Sequence, residues 1–281
     1  MDYLDLLKLS HTKFKSNICF GIDPVIKNIP LTGDPRTIIV AYYEDILNEI
    51  IQKKIYPSAI KQNYGCYAQY GIAGIEALID VTSLYKHEGF PIILDIKEGD
   101  IDIAAAAYAR QTFDIFHADA VTVSPYMGFN SIQSIIDHYP NKGCYILTKT
   151  SNKSSIDIQD MIVDNEPLYL YVAKKIIEWY HPGIGALIGA TYPEQLSQIS
   201  VLFIQSGKEI PLLMPGIGIQ GGKIELVMNA LKPFGNISIH RINSSSGICY
   251  AYKKYHKLHY AEAAVKALKE LNDKVASFLY P

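Results

Sequence analysis

The segment Pro91-Ile-Ile-Leu-Asp-Ile-Lys-Glu-Gly-Asp-Ile101 carries the most information about this chain. Its first four residues are apolar, which is typical of a short strand covered on both faces, and Gly99 permits the tight turn that ends such a strand. Because side chains alternate along a strand, we expect Asp95 and Lys97 on one side and Ile96 on the other. A lysine held beside carboxylates stays protonated and can deliver a proton.

Short apolar runs alternate with longer amphipathic runs along the whole chain, which is typical of βα units. Eight strands are predicted, over residues 17–23, 57–63, 91–97, 120–125, 143–150, 184–191, 211–216 and 237–244. Helical patterns fill the intervals, as in 37–54, 72–87, 103–116, 168–180 and 259–278. This count and length predict a single-domain α/β fold over residues 1–281, a TIM (β/α)8 barrel. An open doubly wound sheet ranks second, because no switch-point loop follows the first strand.

Polar residues stand at the C-terminal ends of the predicted strands. They are Asp23, Lys61, Asp95, Lys97, Ser124, Ser151, Thr191, Gly216 and Asn243. In a barrel these ends meet on one face, where the active site lies, so residues far apart in sequence become neighbours. This convergence favours catalysis over the alternative for residues 95–100, a surface ion-pair cluster at the end of a strand.

The composition limits the kinds of protein that this chain can be. Hydrophobic residues make up 49% and charged residues 19%, which indicates a well-buried globular core. A formal net charge of -2 supplies no basic field for nucleic acid. The N-terminus has no signal-peptide pattern and no run of 18 apolar residues occurs, so we expect a soluble, cytoplasmic protein without membrane contact. The widely spaced cysteines are interpreted as free thiols, mostly buried.

Residues 215–222, Pro-Gly-Ile-Gly-Ile-Gln-Gly-Gly, place Gly216, Gly218 and Gly221 in a GxGxxG spacing. A dinucleotide site would place this pattern after the first strand, with an acid about 20 residues later. Here it follows the seventh predicted strand and no acid stands at that distance, so we interpret it as a loop whose N–H groups face a phosphate. The alternative is a tight turn without a ligand, and the polar loop 243–247 after strand eight argues against it.

Other patterns with known chemistry are missing from the sequence. There is no HExxH, GxSxG or Walker pattern, and the histidines lack metal-ligand spacing, so no metal site is predicted. His240 is interpreted as a core histidine. The polar, aperiodic run 151–167 is long for a βα loop and is interpreted as a lid or, alternatively, as a disordered surface loop.

Eight short stretches together resemble orotidine 5'-monophosphate decarboxylase, and specifically its longer bacterial (type 2) branch. They run from about Phe20 to Ala251 and occur in the family's order. They are Gly21-Ile-Asp-Pro24, Ile60-Lys-Gln-Asn63, Asp95-Ile-Lys-Glu-Gly-Asp-Ile101, Ala120-Val-Thr-Val-Ser-Pro-Tyr-Met-Gly128, Thr150-Ser-Asn-Lys153, Gly189-Ala-Thr-Tyr-Pro193, Pro215-Gly-Ile-Gly-Ile-Gln-Gly-Gly222 and Asn243-Ser-Ser.

This resemblance implies that the chain removes carbon dioxide from a small nucleotide, orotidine 5'-monophosphate, giving uridine 5'-monophosphate in de novo pyrimidine biosynthesis without a cofactor. It implies that Lys97 protonates the C6 carbanion and that Lys61, Asp95 and Asp100 complete a network of alternating charges. It also implies a homodimer with shared active sites, in which Asp100 and Ile101 reach the site of the neighbouring subunit.

The resemblance further implies how the substrate is held. Asp23 and Lys61 would bind the ribose, Ser151 the pyrimidine, and Gln220 with the glycine loop the phosphate. The remaining positions implied to bind substrate are Asn63, Pro215, Gly216, Gly218, Gly221, Ser246 and Gly247.

Three positions depart from the family pattern. Ser246 stands where the family has an arginine that grips the phosphate, and Ile103 and Ala104 replace the usual Asn and Thr. An arginine fork on a phosphate makes charge-assisted hydrogen bonds of roughly 1.5 to 3 kcal/mol. We therefore expect weakened substrate binding unless another cation, such as Lys223 or Arg241, takes its place.

Three functions remain in competition. The first is an active decarboxylase. The second is a magnesium-dependent sugar-phosphate enzyme of a related barrel family, such as 3-keto-L-gulonate 6-phosphate decarboxylase or hexulose phosphate synthase, which place an acid where Lys61 stands. The third is a weakened paralogue that binds a nucleotide as a sensor or scaffold, which only the three departures support. The intact Lys61, Asp95, Lys97 and Asp100 favour the first.

Overall fold

Eight parallel strands close into a barrel in the computed structural model, which describes residues 1–217 and 221–279. The strands are β1 (Ile18–Gly21), β2 (Ala59–Asn63), β3 (Ile92–Glu98), β4 (Ala120–Val123), β5 (Gly143–Lys149), β6 (Ile184–Ile188), β7 (Leu212–Pro215) and β8 (Arg241–Ser244). Each pairs with its sequence neighbours, and β1 pairs with β8, where Ile18 lies opposite Ile242. The predicted TIM barrel is confirmed, and the open sheet is excluded because no strand edge is left free in the barrel.

Helices connect the strands and cover the outside of the barrel. They are α1 (Tyr3–Phe14), α2 (Pro35–Lys53), α3 (Tyr64–Ala68), α4 (Gly71–His87), α5 (Asp102–Arg110), α6 (Asn130–His138), α7 (Ile156–Gln159), α8 (Leu168–Glu178), α9 (Pro193–Gln205), α10 (Ile224–Leu231), α11 (Ser246–Cys249) and α12 (Tyr260–Leu279). The five predicted helical segments correspond to α2, α4, α5, α8 and α12, and α5 continues as a π-helical turn. Within the described residues, no helix has both the length and the apolar character needed to cross a membrane.

Helix α1 closes the N-terminal end of the barrel. Its apolar side chains pack with inward-facing residues such as Leu213, and the hydroxyl of Tyr3 donates to that of Tyr145 at 3.1 Å. This end of the barrel interior is therefore a packed core. The opposite end, where the predicted site residues stand, is the end at which a barrel of this kind receives its ligand.

Strand β8 is shorter than the sequence indicates. Residues 237–244 were expected to be extended, but Ile237–Ile239 form a 3-10 turn and the strand begins at Arg241. The side chain of Asn236 accepts a hydrogen bond from the backbone N–H of Ser238 at 3.1 Å, which gives this segment a local partner in place of the strand ladder. His240 is fully buried, as expected of a core histidine, and accepts from the backbone N–H of Leu212.

The run 151–167 is ordered, so the prediction of a disordered surface loop is wrong. It contains a 3-10 turn, helix α7 and a small hairpin that pairs Ile162–Val163 with Glu166–Pro167. The fully buried ammonium of Lys149, at the end of β5, lies 2.6 Å from a carboxylate oxygen of Asp160. Since a buried charge is costly to leave unpaired, this ion pair fixes the segment to the barrel.

Candidate active site

A cavity of about 360 Å³ opens at the C-terminal end of the barrel. Predicted site residues from both halves of the chain line it together, which confirms the expected convergence of strand ends. They are Asp23, Lys61, Asn63, Asp95, Lys97, Ser151, Pro215, Gly216 and Ser246. The cavity is also lined by residues to which the sequence analysis assigned no binding role. They are Thr150, Asn152, Leu187, Ile217, Asn243 and Ser245.

An alternating array of charges forms one wall of the cavity. The buried carboxylate of Asp95 accepts from the Nζ atom of Lys61 at 2.9 Å and from that of Lys97 at 2.5 Å. Lys61 Nζ also lies 3.5 Å from Asp23, whose carboxylate accepts from the backbone N–H of Asn63 at 3.0 Å. The side chain of Lys97 remains 43% exposed, whereas those of Lys61 and Asp95 are almost fully buried, so Lys97 is the most accessible member of this array.

The charge states of this array follow from its geometry. Burial by itself would raise the pKa of Asp95, but the adjacent ammonium groups of Lys61 and Lys97 outweigh it and hold that pKa well below its ordinary value. Burial would likewise lower the pKa of Lys61, but the carboxylates of Asp23 and Asp95 raise it well above its ordinary value. Asp95 is therefore an anion and Lys61 a cation throughout the physiological pH range.

The backbone at Lys97 leaves the regular strand conformation. Its φ angle is +57°, in the left-handed region that non-glycine residues seldom adopt, and the register of β3 against β4 shifts between Leu94 and Glu98. Such a bulge redirects a side chain at a cost of roughly 1–3 kcal/mol in backbone strain. Lys97 and Asp95 still meet on one side, as the alternation predicted, but the bulge sets their separation.

Thr122 holds this bulge in place. Its hydroxyl accepts from the backbone N–H of Lys97 at 2.9 Å and donates to Asp95 at 3.1 Å. The sequence patterns did not select Thr122 as a site residue, although one feature pointed to it. It is a polar residue between Val121 and Val123 in a buried strand, where a hydroxyl needs a partner.

The wall opposite the charge array is the stretch Thr150–Asn152, directly after β5. Gln159 of α7 fixes its start, since its carbonyl oxygen accepts from the Thr150 N–H at 2.9 Å and its amide donates to the Thr150 hydroxyl at 2.8 Å. Ser151 then packs so closely on Gly189 that a Cβ there would lie 2.6 Å from the Ser151 Cα. A side chain at residue 189 would displace this wall.

The loops after β7 and β8 form the third side of the cavity. Gly216 and Ile217 line it, and the first loop closes through the N–H of Gly222, which donates to the carbonyl of Gly216 at 3.0 Å. Two predicted phosphate ligands, Gly218 and Gln220, lie outside the described residues. Two other positions predicted to bind substrate, Gly221 and Gly247, belong to these loops but do not line the cavity.

Arg241 cannot replace the missing phosphate-binding arginine. Its fully buried guanidinium donates to the carbonyls of Leu7 and Ser238, each at 2.7 Å, at the N-terminal end of the barrel. The barrel core separates it from the cavity, so the hypothesis that it substitutes for that arginine is wrong. Lys223 is exposed at the start of α10 and does not line the cavity either.

Asp100 and Ile101 are not brought into the cavity of their own chain. They follow β3 in a partly exposed loop, where the carboxylate of Asp100 accepts from the N–H of Ile101 at 2.8 Å. Two strand-end residues also lie elsewhere. Ser124 caps a 3-10 turn after β4, and the hydroxyl of Thr191 donates to the carbonyl of Ser151 at 3.1 Å.

Comparison with known proteins agrees with this arrangement. Residues 16–253 match the profile of the "Orotidine 5'-phosphate decarboxylase / HUMPS family". The orotidine 5'-phosphate decarboxylase of Janthinobacterium sp. (strain Marseille) is 33% identical over 286 residues, covering 99% of this chain and 100% of the relative. The chain belongs to the orotidine 5'-phosphate decarboxylase family. This confirms the family expected from the sequence and does not favour the sugar-phosphate alternative.

Solved structures of orotidine 5'-phosphate decarboxylases share the fold. The OMP decarboxylase of Leishmania donovani superimposes with a TM-score of 0.82 and 28% identity over 100% of both chains. The UMP synthase of the same organism gives a TM-score of 0.82 and 30% identity over 99% of this chain, which spans 56% of that longer one. The decarboxylase barrel is thus preserved along the whole length of this chain.

Proposed function

We propose that this chain decarboxylates orotidine 5'-phosphate to uridine 5'-phosphate, the pyrimidine-biosynthetic reaction of its family, and that it does so without a cofactor. The observation that carries the proposal is the array Lys61–Asp95–Lys97 on one wall of a cavity whose other sides come from the loops after β5, β7 and β8. A cation fixed beside an anion is suited to a reaction that creates negative charge on carbon.

The chemical step requires a cation and an acid at the same place. When the bond from C6 to the carboxylate breaks, carbon dioxide leaves and the electron pair stays on C6. The ammonium of Lys97 stabilises this charge and then transfers a proton to C6, which gives the C6–H bond of the product. Asp95 keeps the ammonium in place beforehand, so little reorganisation is needed during the reaction. Lys97 regains its proton from solvent after product release.

The remaining cavity residues bind the parts of the substrate that are remote from the bond that breaks. We assign the carboxylate of Asp23, the ammonium of Lys61 and the amide of Asn63 to the ribose. We assign Ser151, which also lines the cavity, to the pyrimidine. We assign the phosphate to the loops at Pro215–Ile217 and Ser245–Ser246, together with Gly218 and Gln220. Binding energy from the phosphate can then order the charge array.

Among the described residues, the cations that line the cavity are Lys61 and Lys97, and both belong to the charge array. The phosphate would therefore be held by backbone N–H groups and hydroxyls, with Ser246 at the position of the family arginine. We therefore expect an active catalytic array combined with weak substrate binding.

A homodimer with shared sites is the second part of the proposal. Asp100 and Ile101 lie outside the cavity of their own chain, and apolar side chains in this stretch of chain are exposed: Ile101 is 41% exposed and Ile103 is 86% exposed. Exposed apolar side chains of this kind mark interaction surfaces. A second copy would cover them and place its Asp100 and Ile101 at the site of the first.

A continuous absorbance assay with orotidine 5'-phosphate tests the reaction. We expect turnover that persists after treatment with a metal chelator, and tight binding of 6-hydroxyuridine 5'-monophosphate, a mimic of the carbanion. Turnover that requires added magnesium would favour a sugar-phosphate enzyme. Weak binding of the mimic together with no turnover would favour a nucleotide-binding paralogue.

A further inference from the structure

The loop that carries Asp23, between β1 and α2, is held from outside by tyrosine hydroxyls. The hydroxyl of Tyr250 donates to the backbone carbonyl of Asp23 at 3.0 Å and accepts from the backbone N–H of Val25 at 2.8 Å. Further along the same loop, the hydroxyl of Tyr252 donates to the carbonyl of Asn28 at 2.8 Å. The hydroxyl of Tyr250 thus bonds to the backbone on both sides of Pro24, at Asp23 and at Val25.

Tyr250 ends the turn after β8, residues 245–250, whose first residues line the cavity. This turn also contacts β1 directly. A Cβ at Gly21 would lie 1.8 Å from the Ser245 hydroxyl oxygen, and the thiol of Cys249 donates to the Gly21 carbonyl at 3.1 Å. The turn after β8 and the loop after β1 therefore form one packed unit, with Tyr250 as its outer link.

The environment of Tyr250 preserves both hydrogen bonds. The residue is 8% exposed, and its ring stacks on Tyr42 with 6.3 Å between centroids, while the Tyr42 hydroxyl donates to the carbonyl of Cys249 at 2.5 Å. Burial raises the pKa of Tyr250 well above its ordinary value, so the phenol keeps its proton. A neutral phenol can donate to one backbone group and accept from another at once.

We propose that Tyr250 is a positioning residue that couples the turn after β8 to Asp23, so that a phosphate bound at the turn also orders the carboxylate beside Lys61. Asp23 is placed between two supports, the Tyr250 hydroxyl at its carbonyl and the Asn63 N–H at its carboxylate. The inference rests on the proposed function for its ligand, a 5'-phosphorylated pyrimidine nucleotide. When two segments are ordered together, a ligand that contacts both of them binds more tightly than it would if the segments were independent.

The test is Tyr250→Phe, which removes one oxygen atom and keeps the buried ring. Tyr252→Phe is the matched control, because it removes a phenol bond of the same kind from the same loop without touching residues 23–25. Affinities are measured for 6-hydroxyuridine 5'-monophosphate and for 6-hydroxyuridine, which lacks the phosphate, together with kcat and KM for orotidine 5'-phosphate.

We expect Tyr250→Phe to weaken the binding of the phosphorylated ligand about tenfold and the binding of the nucleoside less than about threefold. Tyr252→Phe should change both by no more than about twofold. Equal weakening of both ligands by Tyr250→Phe would show a purely structural role and overturn the inference, as would no weakening at all. Failure of the proposed function is a separate result, since the unmodified chain would then not turn over orotidine 5'-phosphate.

Discussion

The Nζ atom of Lys61 lies 2.9 Å from Oδ2 of Asp95, and both side chains are almost fully buried beside the cavity. Neither charge has enough water around it to be stable alone, so each depends on the other. Asp95 uses its second oxygen to hold Lys97. The same carboxylate thus supports the fold through Lys61 and prepares the reaction through Lys97.

Replacing Asp95 by Asn should destabilise the protein strongly. The change leaves the buried ammonium of Lys61 with Asp23 alone, at 3.5 Å, and breaking a buried pair costs about 3–5 kcal/mol. Asp80→Asn is the control, because its pair with Arg36 lies at the surface and should contribute no more than about 1 kcal/mol. Chemical denaturation measures both values. Equal losses in the two variants would contradict this account of the array.

Replacing Lys97 by Ala should remove the proton donor and leave the fold intact. We expect kcat to fall by several orders of magnitude, about 10³-fold or more, because both the acid and the stabilising cation are lost. Steady-state kinetics and circular dichroism measure the two quantities. Lys153→Ala, an exposed lysine just beyond the cavity wall, should keep its activity. Substantial turnover by the Lys97 variant would refute the assigned role.

Mixing two inactive variants tests the shared site. Lys97→Ala and Asp100→Ala are each expected to be inactive, and a mixed dimer has one site with both residues. Random exchange of equal amounts should restore about a quarter of the activity, since half of the dimers are mixed and one of their two sites is complete.

The control for this mixing experiment combines Lys97→Ala with Lys61→Ala. Both residues line the cavity of a single chain, so no site in that mixed dimer is complete and no activity should return. If exchange is demonstrated by mass spectrometry and Lys97→Ala with Asp100→Ala still gives no activity, each site is built from one chain.

Replacing Ser246 by Arg should improve substrate binding. An arginine at this cavity-lining position can make a two-pronged contact with the phosphate, and about 1.4 to 2.8 kcal/mol would lower KM roughly tenfold to a hundredfold. The value of kcat/KM should rise at least as much, because phosphate binding also stabilises the transition state.

The rival explanation for Ser246 is that Lys223 already supplies the missing charge. Lys223→Ala should change KM by less than about twofold, since its side chain is exposed and does not line the cavity. A large rise in KM on this substitution, together with no gain from Ser246→Arg, would show that the compensation exists.

Replacing Glu98 by Gln should change how stability depends on pH. Burial raises the pKa of Glu98 from its ordinary 4.5 to about 7, although the hydroxyl of Thr112 donates to it at 2.9 Å. Between about pH 4.5 and 7 the folded protein therefore binds more protons than the unfolded chain, and stability falls as pH rises. The free energy of unfolding falls by up to about 3 kcal/mol over this pH range.

Unfolding by urea at several pH values measures this effect. Glu98→Gln should flatten the decline between pH 5 and 7, whereas Glu44→Gln, a change at an exposed acid, should leave it unchanged. Parallel pH profiles for Glu98→Gln and the unmodified protein would show that Glu98 does not titrate in this range.

Much of the fold could be predicted from local pattern. Each strand is a short apolar run between amphipathic helices, and eight such units in the chain left the barrel as the first choice. The predicted extent of the eighth strand was wrong, because a side chain there takes a backbone hydrogen bond that the strand ladder would otherwise use. At residues 237–239, Asn236 caps a 3-10 turn, and apolar residues alone gave no indication of it.

The sequence predicted the part of the candidate site whose charged residues stand together at the end of one strand, as Asp95 and Lys97 do. Thr122 was not selected, because its role depends on the bulge that brings the N–H of Lys97 to its hydroxyl. Tyr250 was not selected either, because its partners Asp23 and Val25 are distant in sequence.

By itself the sequence determined the barrel, the end at which its polar residues gather, and the order of charges along β3, because these follow from the periodicity of side chains within each element. The tertiary structure alone decided that the cation of Arg241 does not face the cavity. Arg241 is only five residues before Ser246, which lines the cavity, yet the two residues lie at opposite ends of the barrel. It also left Asp100 and Ile101 outside their own cavity. Such placements depend on how distant elements pack, and no local pattern encodes them.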